Sequence, residues 1–347
     1  MGPHADGPPP LKKMIFPALF VGVLFYLSFT RSPESSQQLM LQGEALGTTW
    51  TLKSAEVHTD DRAQELLAVV ESALADVDQS MSTYRPDSEL MAINAAEGAQ
   101  AIALSNLMGR VLGEALDVGR ASNGAFDVTI GPLVKAWGFG PNKRRVAPPA
   151  EVLEQLTASI GQDKLELTEA GLTKAHPQVF VDLSAIAKGF AVDLAVQRLE
   201  AVGAKNILIE VGGEIVARGK NAQGQVWRLG IETPSESQRQ IHHAVALDDA
   251  AMATSGDYRQ YYELDGRRVS HLIDPRTGQP IEHRLASVTV VADQCSTADA
   301  WATALSVLGE KDGFELAQNR NLKAYFIVRT EDGGFSTLST QSFDELK

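Results

Sequence analysis

Hydrophobic positions along this chain recur with two periods, and the switches between them mark out helices and strands. Leu66, Leu67, Val70, Ala73, Leu74 and Val77 repeat at the spacing of one buried helix face, with Asp60 or Asp61 ahead of them as a cap. Ser88 caps a short helix to about Asn94. Ser105 caps another, with Leu107, Val111, Leu112, Ala115 and Leu116 on its apolar face, and Asn123-Gly124 ends it. Pro148-Pro149 opens a further helix to about Ile160. Strands are predicted at Gly47 to Lys53, Val179 to Leu183, Val226 to Ile231, His243 to Leu247, Val269 to Ile273 and Ala286 to Ala292, with Ala324 to Val328 as the last. NILIEV and EIVARG read as a hairpin turning at Gly212-Gly213. Val179 to Leu183 feeds a helix from Ser184 to Val202, and Ala286 to Ala292 feeds one from Ser296 to Leu308. Ala125 to Gly140 reads as partly extended and punctuated by glycine. Strands interspersed with helices and hairpins predict an α+β or mixed α/β domain, not a regular doubly wound sheet.

The first residues follow neither period. A Pro- and Gly-rich start leads to Lys12-Lys13 and then to the apolar run Met14 to Thr30. Basic residues before an apolar run are how secretory signals and membrane anchors begin. The run is short against the ~20 residues of a typical spanning helix, and no A-x-A-like cleavage site follows it. The expectation is an uncleaved anchor over residues 1–31 with its lysines inside, cleavage being the alternative. Residues 32–38 are a polar tether and residues 39–347 the folded part. Charge narrows the partners: 31 basic against 44 acidic residues give −13, which repels nucleic acid and anionic lipid heads. An anionic ligand then needs a local cation or a helix N-terminus. The single cysteine, Cys295, cannot form an intrachain disulfide. It reads as a small apolar residue at a helix start, no His-Asn pattern surrounding it as a nucleophile would require.

Four stretches carry candidate chemistry. SHLIDPRTG (Ser270 to Gly278) is a strand stopped by Asp274-Pro275, which places His271, Asp274 and Thr277 at one strand end beside a loop. An ordinary hairpin with an Asx-type turn fits the same residues. STADAWATA (Ser296 to Ala304) puts Asp299 and Thr303 four apart on one helix face. A carboxylate with a neutral oxygen suits a hard cation such as magnesium, although Ser296 and Asp299 also fit a capping box. VDLSAIAKGF (Val181 to Phe190) is a strand-to-helix junction whose free amides suit a phosphate, with Lys188 as a cation and Gly189 permitting close approach. An ordinary solvated lysine is the alternative. Neither a P-loop nor a dinucleotide fingerprint is present. EVGGEI reads first as a hairpin turn, and the seven histidines show no metal-ligand spacing.

The order GTTW, MSTYRPDSEL, GAFDVTIGPLVKAWGFG, VDLSAIAKGFAVD, EVGGEI, TSGDYRQYYELDGRRVSHLIDPRTG, TADAWATAL resembles the ApbE family of FAD:protein FMN transferases, from about Leu39 to the C-terminal strand. The resemblance implies a mixed α/β, T-fold-like domain that binds FAD with Mg2+, splits the diphosphate, and moves FMN to a threonine or serine of a target, releasing AMP. It implies targets among extracytoplasmic flavin domains of ion-pumping NADH:quinone oxidoreductases and related electron-transport proteins, and hence an inner-membrane anchor with the catalytic domain in the periplasm. By position, Asp299, Thr303 and the Ala185 carbonyl would hold the metal. Leu46, Tyr84, Ala125, Phe126, Asp127, Asp182, Lys188, His271 and Ile273 would contact FAD. His271 would be the general base, Lys188 would assist, Asp274 would orient His271, and Tyr84 or Phe126 would stack on a ring. Two features depart from the family pattern. No lipobox cysteine follows the apolar run, and Leu46 stands where relatives often carry methionine, a volume-conserving change. FAD hydrolysis to FMN and AMP, or FAD binding without catalysis, are the alternatives.

Overall fold

A computed structural model of the chain describes residues 38–56, 58–97, 100–139, 145–234, 240–258 and 260–346; the expected anchor therefore lies outside the described residues. The chain opens with β1 (Leu39–Ala45) and β2 (Thr48–Ser54), then α1 (Asp60–Met81), α2 (Glu89–Ala95), α3 (Asn106–Ala121), α4 (Gly131–Ala136) and α5 (Ala150–Ser159). A small hairpin, β3 (Leu165–Thr168) and β4 (Gly171–Lys174), precedes α6 (Ala187–Ala201). Next come β5 (Ile207–Val211), β6 (Glu214–Arg218), β7 (Trp227–Glu232), β8 (Ile241–Leu247) and β9 (Ala251–Gly256). Two hairpins follow, β10 (Tyr261–Leu264) with β11 (Arg267–Ser270), and β12 (Ile273–Asp274) with β13 (Gln279–Pro280). The chain closes with β14 (Leu285–Ala292), α7 (Cys295–Asn319), β15 (Lys323–Arg329), β16 (Phe335–Ser339) and α8 (Gln341–Asp344).

Eight strands form one antiparallel sheet in the order β1-β2-β5-β6-β9-β14-β15-β16, which makes the domain mixed α/β as expected. Its two faces are separated by side-chain alternation. Ile207, Ile209 and Val211 of β5 point into the large core with α1, α3, α6 and α7, whereas Leu208 joins Trp227, Val245, Tyr325 and Phe343 on the opposite face. A third apolar cluster, Leu133, Trp137, Ile160, Tyr262, Val269 and Ile273, lies apart from the sheet and underpins the His271 region.

Several local expectations are corrected. Thr59, not Asp60 or Asp61, caps α1, its hydroxyl accepting from the Arg62 amide. The described residues 125–139 are not mainly extended: Pro132 in the first turn starts α4. Val179 to Leu183 forms no strand, because side chains satisfy its backbone. Asn94 takes the Val181 amide (2.7 Å) and donates to the Val181 carbonyl (2.9 Å), while Asp182 donates its amide to Val128 (2.7 Å). The predicted strand over Val269 to Ile273 breaks at His271 and Leu272. α7 runs on to Asn319 past a non-helical Gly309, and β16 follows β15 as the last strand. The Gly212-Gly213 hairpin turn and the buried, free Cys295 are as expected, both glycines having positive φ.

α7 has no side-chain cap of its own. Asp193 of α6 supplies one from outside, accepting from the Cys295 amide (2.8 Å) and from the amide and hydroxyl of Ser296 (2.9 Å each). Asp193→Ala should lower unfolding free energy by about 2 kcal/mol, the cost of a lost charged cap; an unchanged urea midpoint would refute this account of how α7 begins.

Candidate active site

The site forms where the first turns of α6 and α7 meet. Gly189 makes the meeting close: a Cβ there would lie 2.4 Å from the Cys295 carbonyl oxygen. Its lack of a side chain thus serves helix packing, where a phosphate contact was expected. Asp299 lies one turn into α7 and is 5% exposed. Its Oδ2 accepts the Gly189 amide (3.1 Å) and stands 3.6 Å from Lys188 Nζ. No capping box forms, since Gln294 occupies the cap position and Ser296 Oγ donates to Asp193.

α6 begins at Ala187 with Ile186 as its cap, so the Gly189 amide that Asp299 accepts is one of the donors a helix start leaves free, and the Ala185 carbonyl lies ahead of the helix. Among the described residues neither that carbonyl nor the half-buried Thr303 hydroxyl has a hydrogen-bond partner. Thr303 follows Asp299 by four residues and shares its helix face. One carboxylate and one hydroxyl thus share a face of α7 where it meets the start of α6, and the Ala185 carbonyl precedes that start in the chain. Among the described residues no group of three or more His, Cys, Asp or Glu could hold a metal. A cation here would draw on neutral oxygens as well as the one acid.

Lys188 is no solvated surface lysine. Its ammonium donates to Glu214 Oε1 at 2.6 Å, and Glu214 is 4% exposed. Burial pulls the Lys188 pKa down, but Asp299 and Glu214 outweigh it and hold the group above the ordinary lysine value. Burial raises both carboxylates, and Lys188 opposes the rise. Glu214 escaped notice in the sequence because EVGGEI reads as a turn. The signal was an acid directly after two glycines that need positive φ, a turn too tight to let its side chain drift.

The same turn brings Leu46 in. β2 pairs with β5, so the β1–β2 turn lies beside the β5–β6 turn, and the Gly212 amide donates to Thr49 (3.1 Å). Leu46 holds φ at 53°, a costly conformation for a branched apolar residue.

His271 sits in the break between β11 and β12. The Gln260 carbonyl accepts from its amide (3.2 Å) and faces its Nδ1 (2.9 Å), so Nδ1 carries the proton and Nε2 keeps its lone pair. Phe139 meets the ring edge-on at a centroid distance of 6.2 Å. Tyr262 Oη donates to Trp137, and Trp137 Nε1 donates to Gly278 (2.9 Å each), tying α4 to both hairpins around the histidine. Burial lowers the His271 pKa; the Gln260 hydrogen bond and Asp257 raise it less, and Lys188 lowers it further, so His271 feels the Lys188 charge. α7 also packs against β12.

The orienting role expected of Asp274 passes to the Gln260 carbonyl. Asp274 is engaged by Arg276 through Nε (2.8 Å), Nη2 (2.7 Å) and the amide (2.9 Å), and closes the turn as an Asx residue. Thr277 is exposed and serves the same turn. Phe126 is 2% exposed and belongs to the core, so it offers no ring for stacking, whereas Tyr84 is 77% exposed. Among the described residues no hydrogen bond or ring contact joins Tyr84 to Lys188, Asp299 or His271. Ala125 and Ile273 are likewise buried. Asp127 spends its carboxylate on the amide and hydroxyl of Thr129 and the Gln162 amide, and Asp182 on Ser184.

A model of the ApbE family matches residues 46–326. The chain belongs to the ApbE family. It is 42% identical over 347 residues to the FAD:protein FMN transferase of Haemophilus influenzae, covering 97% of this chain and 99% of the relative. It is 41% identical to that of Vibrio cholerae over 309 residues, 89% and 92% of the two chains. Among solved structures of the family, the flavin transferase ApbE from Vibrio cholerae superposes with a TM-score of 0.82 at 39% identity, over 90% of this chain and 99% of that one. The apo form of the Pseudomonas stutzeri flavinyl transferase ApbE gives 0.81 at 39%, over 89% and 96%.

The depressed His271 pKa has two measurable consequences. Below the ordinary value of 6.5 the unfolded chain binds a proton before the folded one, so this residue lowers stability as pH falls. In nitrogen-15 spectra His271 should remain the neutral Nδ1–H form at pH 6.5 and titrate lower; a midpoint above 6.5 would contradict the burial argument.

Proposed function

We infer that this chain transfers FMN from FAD to a threonine or serine hydroxyl of a target protein, with release of AMP. One observation supports the reading: the buried Asp299 carboxylate, held by the Gly189 amide where two helix starts meet, stands 3.6 Å from the ammonium of Lys188, with the Thr303 hydroxyl, unpartnered among the described residues, one turn further on. Such a junction suits a diphosphate together with a cation, and relatives named FAD:protein FMN transferases indicate which diphosphate. Magnesium is the ion this donor set fits, because it commonly takes one or two carboxylates and completes its shell with water and phosphate. Asp299, Thr303 and the Ala185 carbonyl would hold it, and when bound it would withdraw charge from the diphosphate.

The chain's own groups do the rest. Lys188 pairs with the diphosphate oxygens. Leu46 and Tyr84 meet the nucleotide through their side chains, while Ala125, Phe126, Asp127, Asp182 and Ile273 line the path through their backbone. The acceptor oxygen attacks the phosphorus on the FMN side. As that O–P bond forms, the bond to the bridging oxygen breaks, and AMP leaves with the bridging oxygen and the electron pair. The acceptor's proton passes to His271 Nε2, left open by the Gln260 contact. We propose as acceptor an extracytoplasmic flavin domain of an ion-pumping NADH:quinone oxidoreductase or a related electron-transport protein. Lys12-Lys13 before the apolar run supports an inner-membrane anchor with the domain in the periplasm. Among the described residues no helix is long and apolar enough to cross a membrane.

Incubation with FAD, magnesium and an acceptor flavin domain separates the readings. A covalently fluorescent acceptor means transfer, AMP without labelling means hydrolysis, and intact FAD means binding alone. Asp299→Ala should abolish labelling and weaken magnesium binding; labelling that persists with its metal dependence intact would remove the metal assignment. His271→Gln should slow transfer by about 10²- to 10⁴-fold, the usual worth of a general base.

A further inference from the structure

We propose that Glu214 is a positioning residue for the transfer, fixing the Lys188 ammonium in place and holding it off Asp299. The inference rests on the FMN-transfer reading for what Lys188 does, but on geometry alone for what Glu214 does to Lys188. Lys188 Nζ faces two buried carboxylates at unequal distances, 2.6 Å from Glu214 and 3.6 Å from Asp299. Only the first is a hydrogen bond; the second is attraction across a gap. Glu214 thus decides which of two acids the lysine joins. That choice matters because Asp299 is the only carboxylate of the candidate metal set. A lysine hydrogen-bonded to it would compete with a cation for the same carboxylate.

Glu214 is placed for this task and has no other. Gly212 and Gly213, at φ 65° and 108°, make the turn that delivers it at the start of β6. Its Oε1 is taken by Lys188, while Oε2 is buried without a hydrogen-bond partner. Oε2 points back under the turn, 3.4 Å from where a Gly212 Cβ would stand. A buried ion pair of this kind is weak evidence of a stabilising role. A carboxylate kept with half its capacity unused fits a residue retained for the one contact it makes.

Glu214→Gln keeps an oxygen for Lys188 and removes the charge; Glu214→Ala removes both. With the full chain and an acceptor flavin domain, Glu214→Ala should reduce kcat about 10²-fold, the effect of an ångström-scale misplacement. KM for FAD should change much less, and Glu214→Gln should stay within about fivefold of the parent. In a crystal structure of Glu214→Ala, Lys188 Nζ should close on Asp299 Oδ2 to within about 3.2 Å. Equal losses in the two variants at matched urea midpoints would overturn the proposal in favour of a pure charge effect. Unaltered kcat in Glu214→Ala, or a Lys188 still at its parent distance from Asp299, would also overturn it. Should Glu214→Ala fail to fold, a loss of more than fivefold in Glu214→Gln would do the same. If the parent itself transfers no FMN, the functional reading falls, while the displacement of Lys188 can still be read from the crystal.

Discussion

The contact on which the site depends is the backbone approach of α6 to α7 at Gly189. With a Cβ only 2.4 Å from the Cys295 carbonyl oxygen, no other residue fits without parting the two helices. Because they touch, the Gly189 amide, one of the donors that the start of α6 leaves free, reaches Asp299 and fixes its carboxylate. Asp193 fastens the same junction from the other side by capping α7. The candidate metal set is thus a by-product of how two helix starts are packed.

Electrostatics then give the junction its sign. Two buried carboxylates surround one ammonium, so the cluster is one negative charge in excess while both acids are ionised. Burial raises both carboxylate pKa values by stripping water from the charged form, and Asp299 raises that of Glu214 further. An added cation would relieve the excess and favour a diphosphate there. A chain of net charge −13 would otherwise repel an anionic substrate. Lys188, held charged by its two acids against the cost of burial, is one part of the local remedy that composition demands.

Much of this was legible in the sequence, and the remainder was hidden for identifiable reasons. Periodicity located the long helices because their buried faces are continuous, as with Leu66, Val70, Leu74 and Val77. The strand β9 escaped because AMATSG has little β-branching, and its place in the sheet comes from pairing with β6 and β14. Val179 to Leu183 misled in the opposite direction: its apolar run is buried, but Asn94, remote in sequence, supplies the hydrogen bonds that a neighbouring strand would have supplied. Asp299 and Thr303 were visible from an i, i+4 spacing. Glu214 was not, because nothing local distinguishes an acid that ends a turn from one that meets a lysine 26 residues earlier.

The histidine side of the site is built on a different principle from the metal side. Asp299 and Lys188 stand on helices packed into the main core, whereas His271 lies in a gap between two short hairpins outside the eight-stranded sheet. Its support is a separate apolar cluster and the Trp137 hydrogen bonds that clamp it. A general base in the role proposed for His271 would meet an acceptor hydroxyl that arrives from outside on another protein, and such a base suits a rim better than a core. Its orientation cannot then come from burial alone. The Gln260 carbonyl provides it by engaging both the amide and Nδ1 of His271, so the ring turns with the backbone that carries it. A carboxylate partner would have raised the imidazole pKa and kept a proton on the base. A carbonyl orients the ring while leaving the lowering effect of burial dominant, which is the balance a group poised to accept a proton at neutral pH requires.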